Sequence, residues 1–310
     1  MIFLNPSQAK IKRAKRAFHE GMSNFIYTRL DNLSNPKKKL DFNKAYVLKF
    51  IESFLIDQID EILIASPPEL LEIERAILPM YKNSTLLKGI KYVFNYDLFI
   101  KKANIRYDAY NLAAELDINT CPYCNRNYTN TVISKKGVKI CRPQFDHYFD
   151  KDTHSLLAIS FYNLVPSCST CNSSVKGTKK MNLKDFSHPY LDNFIDDFKF
   201  TYKFKNDTKT GLKIEIRADV GSKIEKTIKT FAIEEIYNSH CNELRDLIKV
   251  RNYFSDNYMQ ILKNNLLKDV IVSKEELYRI IFGAEIDTEN FINRPFSKFK
   301  YDFLKELGII

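Results

Sequence analysis

The chain has 310 residues, with 48 Lys and Arg against 38 Asp and Glu and a formal charge of +10. That surplus suits a polyanionic partner such as nucleic acid, although a lysine-rich solvated surface gives the same sum. No run of about 18 uncharged apolar residues exists, and Met1-Ile2-Phe3-Leu4 is too short for a secretory apolar core before Asn5-Pro6, so a cytoplasmic protein with no membrane segment is expected.

Residues 1–120 read as a helical region. Lys10, Lys12, Arg13, Lys15 and Arg16 crowd one or two helical turns, by default a solvated face and otherwise a surface for nucleic acid or an acidic partner. Val47, Phe50, Ile51, Phe54 and Leu55 form one apolar stripe at helical spacing, and Pro67-Pro68 is expected to end that element. Further helical segments are expected around Glu69 to Leu78 and Tyr107 to Leu116.

Residues 121–190 carry the chemistry. Cys121-Pro-Tyr-Cys124 and Cys168-Ser-Thr-Cys171 are two thiol pairs, each with the two-residue spacing that lets both sulfurs reach one tetrahedral ion. Disulfides, a redox dithiol or unrelated buried cysteines are the alternatives; paired motifs of this kind in a reducing compartment favour a structural Zn²⁺. The 43 residues between the pairs exceed a usual zinc-ribbon interval, so something must fold inside them. Cys141 and Cys241 are left over and read as core residues. Within the insert, Tyr128 to Ile133 and Val138 to Asp146 read as a hairpin turning at Ser134-Lys135-Lys136-Gly137 and ending in Asp146-His147. A short helix is expected from Ser169 to Lys176, with Gly177 as its stop. Lys176, Lys179 and Lys180 follow as candidate phosphate contacts. His154 is expected exposed in a loop, His188 is a second-rank candidate, and His19 and His240 read as structural.

Residues 191–310 begin with a strand in which Phe198, Phe200, Tyr202 and Phe204 alternate with polar residues. Leu212, Ile214 and Ile216 repeat the alternation after a turn at Asn206 to Gly211, giving a hairpin with an outer face of Lys199, Lys203, Lys205, Lys213 and Arg217. From Ser222 onward the pattern is helical, with Ser273 and Glu276 spaced as a capping box for a helix through Ile280.

The runs Phe145-Asp146-His147, Asn163-Leu164-Val165-Pro166-Ser167-Cys168 and Cys171-Asn172 through Lys176-Gly177 resemble the HNH endonucleases of the His-Me finger group. The resemblance implies a ββα unit around one divalent metal, with His147 as general base, Asn163 as the brace of the loop, and Asp146 and Asn172 as ligands of Mg²⁺ or Mn²⁺. Separations of 16 residues from His147 to Asn163 and 9 from Asn163 to Asn172 fit that pattern. The fold class expected is therefore α+β: a central zinc-stabilised finger between helical flanks, with one β-hairpin.

Phosphodiester hydrolysis needs a base for the attacking water and charge relief on the phosphoryl oxygens, which an imidazole and a hard cation can supply. The expected function is a metal-dependent endonuclease acting on DNA in preference to RNA. A zinc-stabilised nucleic-acid-binding or scaffold subunit, or an RNA-directed nuclease of a defence complex, is the alternative. The Cys-Pro-Tyr-Cys-Asn-Arg-Asn and Asn-Leu-Val-Pro-Ser-Cys blocks resemble bacterial HNH proteins of antiviral defence, including the nuclease partners of ATPases in Septu-type and retron-linked systems. That likeness implies an ATPase partner subunit, since this chain has no Gly-x-x-x-x-Gly-Lys-Ser/Thr run of its own.

Overall fold

The computed structural model describes residues 1–37, 39–80, 83–101, 106–205, 211–253 and 273–310. Helix α1 (Ala9–Ser34) is the spine of the N-terminal region, burying Ile11, Ala14, Phe18, Met22, Phe25, Ile26, Leu30 and Leu33 along a stripe set by helical periodicity. Around it lie α2 (Lys44–Phe54), α3 (Ile59–Ile64), α4 (Pro67–Ile77), α5 (Ser84–Val93), α6 (Tyr96–Ile100) and α7 (Ala109–Leu116). Local chemistry starts several of them: Asn43, Asn83 and Asn95 cap α2, α5 and α6 through side-chain oxygens, and Asp108 opens α7 in a capping box with Asn111. Pro67-Pro68 does not end the element expected, since α2 stops at Phe54 and α3 intervenes. Proline is tolerated in a first turn, and the pair opens α4 behind Ser66, whose backbone N–H donates to Glu69 at 2.8 Å.

The basic cluster on α1 is largely solvent-facing, with Lys12, Arg13 and Arg16 exposed, while three of its members also touch the protein. Lys10 donates to the Asp117 carbonyl at 3.3 Å, Arg13 faces Glu115 at 3.5 Å, and Lys15 lies over the Tyr162 ring.

The insert between the cysteine pairs departs from one continuous hairpin. Strands β1 (Val132–Ile133) and β2 (Lys139–Cys141) pair across the expected turn, where Gly137 takes φ +76° and Ser134 N–H bonds the Val138 carbonyl at 2.9 Å. That ladder stops at Cys141, beside Pro143, which has no N–H to extend it. The chain then forms β3 (Gln144–His147), which pairs antiparallel with β4 (Leu164–Ser167), Asp146 opposite Val165 and His147 opposite Leu164. Cys141, expected in the core, is exposed, whereas Cys241 is buried.

In the C-terminal region β5 (Phe198–Phe204) and β6 (Leu212–Ala218) form the expected antiparallel pair, Phe200 opposite Ile216; most of the turn expected between them lies outside the described residues. Phe198 and Phe200 are buried but Phe204 is 74% exposed, so the inward alternation is lost toward the end of β5. Helices α8 (Lys223–Thr230), α9 (Ile233–Asn238), α10 (Cys241–Tyr253), α11 (Lys274–Phe282) and α12 (Ser297–Glu306) complete the region; α12 packs on β5 and α9 on β6. Ser273 caps α11 as expected, and Gly283 ends it in the left-handed conformation. One apolar cluster runs from the α1 stripe through the residues around the cysteines to Phe303 and Leu304, so the three sequence regions share a core. The architecture is α+β, and among the described residues no helix is long and apolar enough to cross a membrane.

Gly21 in α1 marks a close approach: a Cβ there would sit 2.3 Å from Tyr107 Cγ and 2.5 Å from its Cβ. Because the stem of the tyrosine is in the way, turning the ring does not relieve the clash. Overpacking costs about 1–3 kcal/mol, against the ~1 kcal/mol that alanine gains over glycine in a helix. Gly21→Ala is therefore expected to lower stability by up to about 2 kcal/mol in urea denaturation; a variant more stable than the parent would contradict this packing.

Candidate functional site: a four-cysteine centre beside the Asp146-His147 strand

The Sγ atoms of Cys121, Cys124, Cys168 and Cys171 lie within 4.8 Å of one another, and all four residues are buried. Sulfurs at about 2.3 Å from a tetrahedral zinc stand about 3.8 Å apart, and Cys124 and Cys168 are 3.9 Å apart. The backbone supports such a centre. Arg126 N–H points at Cys124 Sγ and Cys171 N–H at Cys168 Sγ, each at 3.4 Å. Hydrogen bonding with Cys121 and its neighbours drives Cys168 below the ordinary thiol range and Cys171 above it. Four thiols this close cannot all lose their protons without a cation among them. The set suits one structural metal ion such as zinc.

The turn that follows Cys124 is a hub. Asn125 takes φ +48°, a conformation that asparagine tolerates better than most residues. Its fully buried side chain donates to Thr120 Oγ1 and to the carbonyls of Phe291 and Arg294, and accepts from Lys298 N–H. Tyr237 donates its hydroxyl to the Cys124 carbonyl at 2.6 Å, and Tyr123 stacks on Phe231 at 4.1 Å.

Asn163 ties together the loop that precedes it. Fully buried, it accepts from Phe149 N–H at 2.6 Å and donates to the carbonyls of Phe149 and Leu157 at 3.1 and 2.8 Å, pinning both ends of the loop after His147. His147 is partly buried, with Nε2 2.8 Å from the Ala158 carbonyl and its ring 4.3 Å from that of Tyr96. Burial lowers its pKa to about 4, against the opposing pull of the Ala158 carbonyl. The imidazole is thus neutral near pH 7, and because a carbonyl only accepts, Nε2 carries the hydrogen and Nδ1 the lone pair.

A cavity of about 310 Å³ opens next to two partners of the imidazole, Tyr96 and Ala158, and its lining also includes Lys91, Asp97, Lys151, Asp152 and Ser155; Lys91 faces Asp152 at 3.4 Å and Lys151 faces Asp97 at 3.8 Å. Lys91, Tyr96 and Lys151 had no signal in the sequence, since α5, α6 and the loop after β3 meet only in the folded chain.

The segment Thr170–Lys176 is helical, as expected, but wound as a π-helix, with Gly177 N–H bonded to the Asn172 carbonyl at 2.9 Å. This wider winding stacks residues five apart, so Cys171 and Lys176 are its two buried residues. Lys176, expected at a phosphate, is instead 4% exposed and holds Asp146 Oδ1 at 2.6 Å. Asp146 is equally buried, and its Oδ2 accepts from the Tyr123 hydroxyl at 2.7 Å. Burial raises the Asp146 pKa while Lys176 opposes the rise. Asn172 donates to Gln144 Oε1 at 3.0 Å rather than joining this pair. Asp146 is therefore not presented as an open oxygen donor for Mg²⁺ or Mn²⁺, both of its oxygens being taken by Lys176 and Tyr123. Lys179 and Lys180 are exposed but bonded to the Thr230 carbonyl and to Thr153 Oγ1. On the hairpin, Lys203 and Lys213 pair with Glu215.

The remaining histidines are structural in placement. His154, expected exposed, is instead partly buried and bonds the buried Glu74, His19 faces Asp60 at 2.9 Å, His240 meets Arg126, and His188 is fully buried with its pKa lowered to about 3 by burial.

No protein-family model matches this chain, and no curated protein or solved structure matches it either.

Two expectations are testable on the protein alone. Purified protein should carry one zinc per chain, and Cys121→Ser or Cys171→Ser should release it and destabilise the fold by more than about 4 kcal/mol; zinc-replete, stable variants by metal analysis and thermal melts would refute the four-sulfur site. His147 and His188 are depressed to about 4 and about 3 when folded but titrate near pH 6.5 when unfolded. The unfolded chain then binds more protons over that interval, so their contribution is complete above about pH 6.5 and is lost as pH falls toward the folded values. The urea midpoint should be lower at pH 5 than at pH 7.5, and an unchanged midpoint would contradict the buried neutral state.

Proposed function

We propose that this protein is an HNH-like endonuclease that hydrolyses phosphodiester bonds, with His147 as general base and a structural zinc on the four cysteines. The observation that carries the reading is the arrangement of His147: a neutral imidazole at the end of β3, tautomer set by Ala158, its following loop pinned by Asn163. In the proposed step Nδ1 takes the proton of a water that attacks phosphorus; the P–O bond to the leaving sugar breaks and that oxygen takes a proton from solvent. A base depressed to about 4 is weak in the free protein, and the negative charge of an arriving phosphodiester raises it toward neutrality. The cavity next to Tyr96 and Ala158 has Lys91 and Lys151 in its lining, each paired with a carboxylate, Asp152 and Asp97, so a phosphate backbone lying there would have to share the two lysines with them.

DNA is proposed ahead of RNA, and a role in antiviral defence with an ATPase partner rests on the sequence resemblance alone. Mg²⁺ or Mn²⁺ would relieve charge on the phosphate in such an enzyme. Of the ligands implied by the resemblance, Asp146 is held by Lys176 and Tyr123 and Asn172 bonds Gln144, and no step is routed through them. That mismatch also favours a second reading, a zinc-stabilised module that binds nucleic acid without cutting it.

Wild type and His147→Ala are to be compared on supercoiled plasmid, linear duplex and structured RNA, in Mg²⁺, Mn²⁺ and EDTA. His147→Ala should lower cleavage on the order of 10²- to 10⁴-fold while keeping zinc and fold. Equal cleavage by both proteins would refute the role of His147, and nucleic acid bound but uncut by the folded, zinc-loaded wild type would support the binding module.

A further inference from the structure

The buried carboxylate beside the His147 main chain already has a cation. Lys176 Nζ lies 2.6 Å from Asp146 Oδ1 and also donates to the His147 carbonyl, and the Tyr123 hydroxyl takes Oδ2 at 2.7 Å. Both charged residues are nearly sealed from solvent, 3% and 4% exposed. A hard divalent ion binds carboxylate oxygen at about 2.1 Å. Placed on Oδ1, such an ion would stand within about 5 Å of the ammonium, in surroundings that screen like charges poorly. Displacing the lysine instead would strand its charge in the interior.

From this geometry we infer that Lys176 is the resident cation of the site: it fills the place beside Asp146 where the resemblance puts a divalent metal, and it holds the main chain of His147 in position. The lysine reaches that place through the π-winding of Thr170–Lys176, which carries it to the face from which Cys171 joins the sulfur cluster. Tyr123, between the first two cysteines in sequence, closes the other side of the carboxylate. Asp146 and Lys176 thus act as positioning residues that link the four-cysteine centre to His147, and Asp146 is not a metal ligand. This inference deepens the nuclease reading of the same site, but it stands on the ion pair and is tested by metal uptake without nucleic acid. A protein that never cuts would still decide it.

The probe is Mn²⁺, its free form followed by electron paramagnetic resonance as it is titrated into zinc-loaded protein, with zinc content and circular dichroism confirming the fold of each variant. Wild type and Asp146→Asn should take up Mn²⁺ equally, within twofold. Lys176→Met should acquire a site at least tenfold tighter, lost again in the Lys176→Met/Asp146→Asn double variant, and Lys176→Arg should acquire none. Stoichiometric uptake by wild type that falls tenfold or more in Asp146→Asn would overturn the inference, as would a folded Lys176→Met that gains no site. Should Lys176→Met fail to fold, the comparison of wild type with Asp146→Asn decides the matter unaided.

Discussion

Bringing four sulfurs within 4.8 Å of one another is the constraint on which the rest of this structure depends. The two cysteine pairs are separated by 43 residues, so their convergence closes the intervening chain into a loop and fixes where it enters and leaves. Four buried thiols at this spacing are poorly compatible with independent ionisation, and one tetrahedral cation would settle them together. The backbone turns at each pair then serve as anchor points. Asn125 ties the first turn to residues near α12, Tyr237 reaches its carbonyl from α9, and Tyr123 reaches Asp146. Each tie uses a buried polar group with its partners supplied, the condition under which such groups add specificity without the cost of an unmet hydrogen bond.

Around His147 the same rule operates at closer range. A neutral imidazole, a fully bonded Asn163 and the Asp146-Lys176-Tyr123 group sit on or beside two short strands that could not hold them by ladder hydrogen bonds alone. Their order comes from α6, whose Tyr96 packs on the imidazole and donates to the Phe145 carbonyl, and from the π-wound segment behind them. The helical N-terminal region is therefore part of the site. It supplies Lys91, Tyr96 and Asp97 to the lining of the cavity beside Ala158.

The charge surplus is distributed differently from a simple binding face. Lys10 and Arg13 are engaged by the protein, Lys203 and Lys213 share Glu215, and Lys176 is buried. Net charge can draw a polyanion toward the molecule at long range, but these local pairs weaken any particular lysine row as a docking surface.

What the sequence determined by itself was whatever depends on short spacing. Two Cys-x-x-Cys pairs announce a shared centre, Ser273 announces a helix start, and alternating apolar residues announce the β5–β6 pair, because each signal is complete within a few residues. Asn163, singled out in the sequence only through a resemblance, is hydrogen-bonded to Phe149 and Leu157 across the loop that precedes it. Only the tertiary structure decided the strand partner of Asp146-His147. Pro143 follows the short β1–β2 ladder, and β4, some twenty residues away, supplied the mate. It also decided the fate of Lys176. At the α-helical period that lysine reads as an outward charge; one extra residue in the turn rotates it inward onto a carboxylate that no local pattern places there.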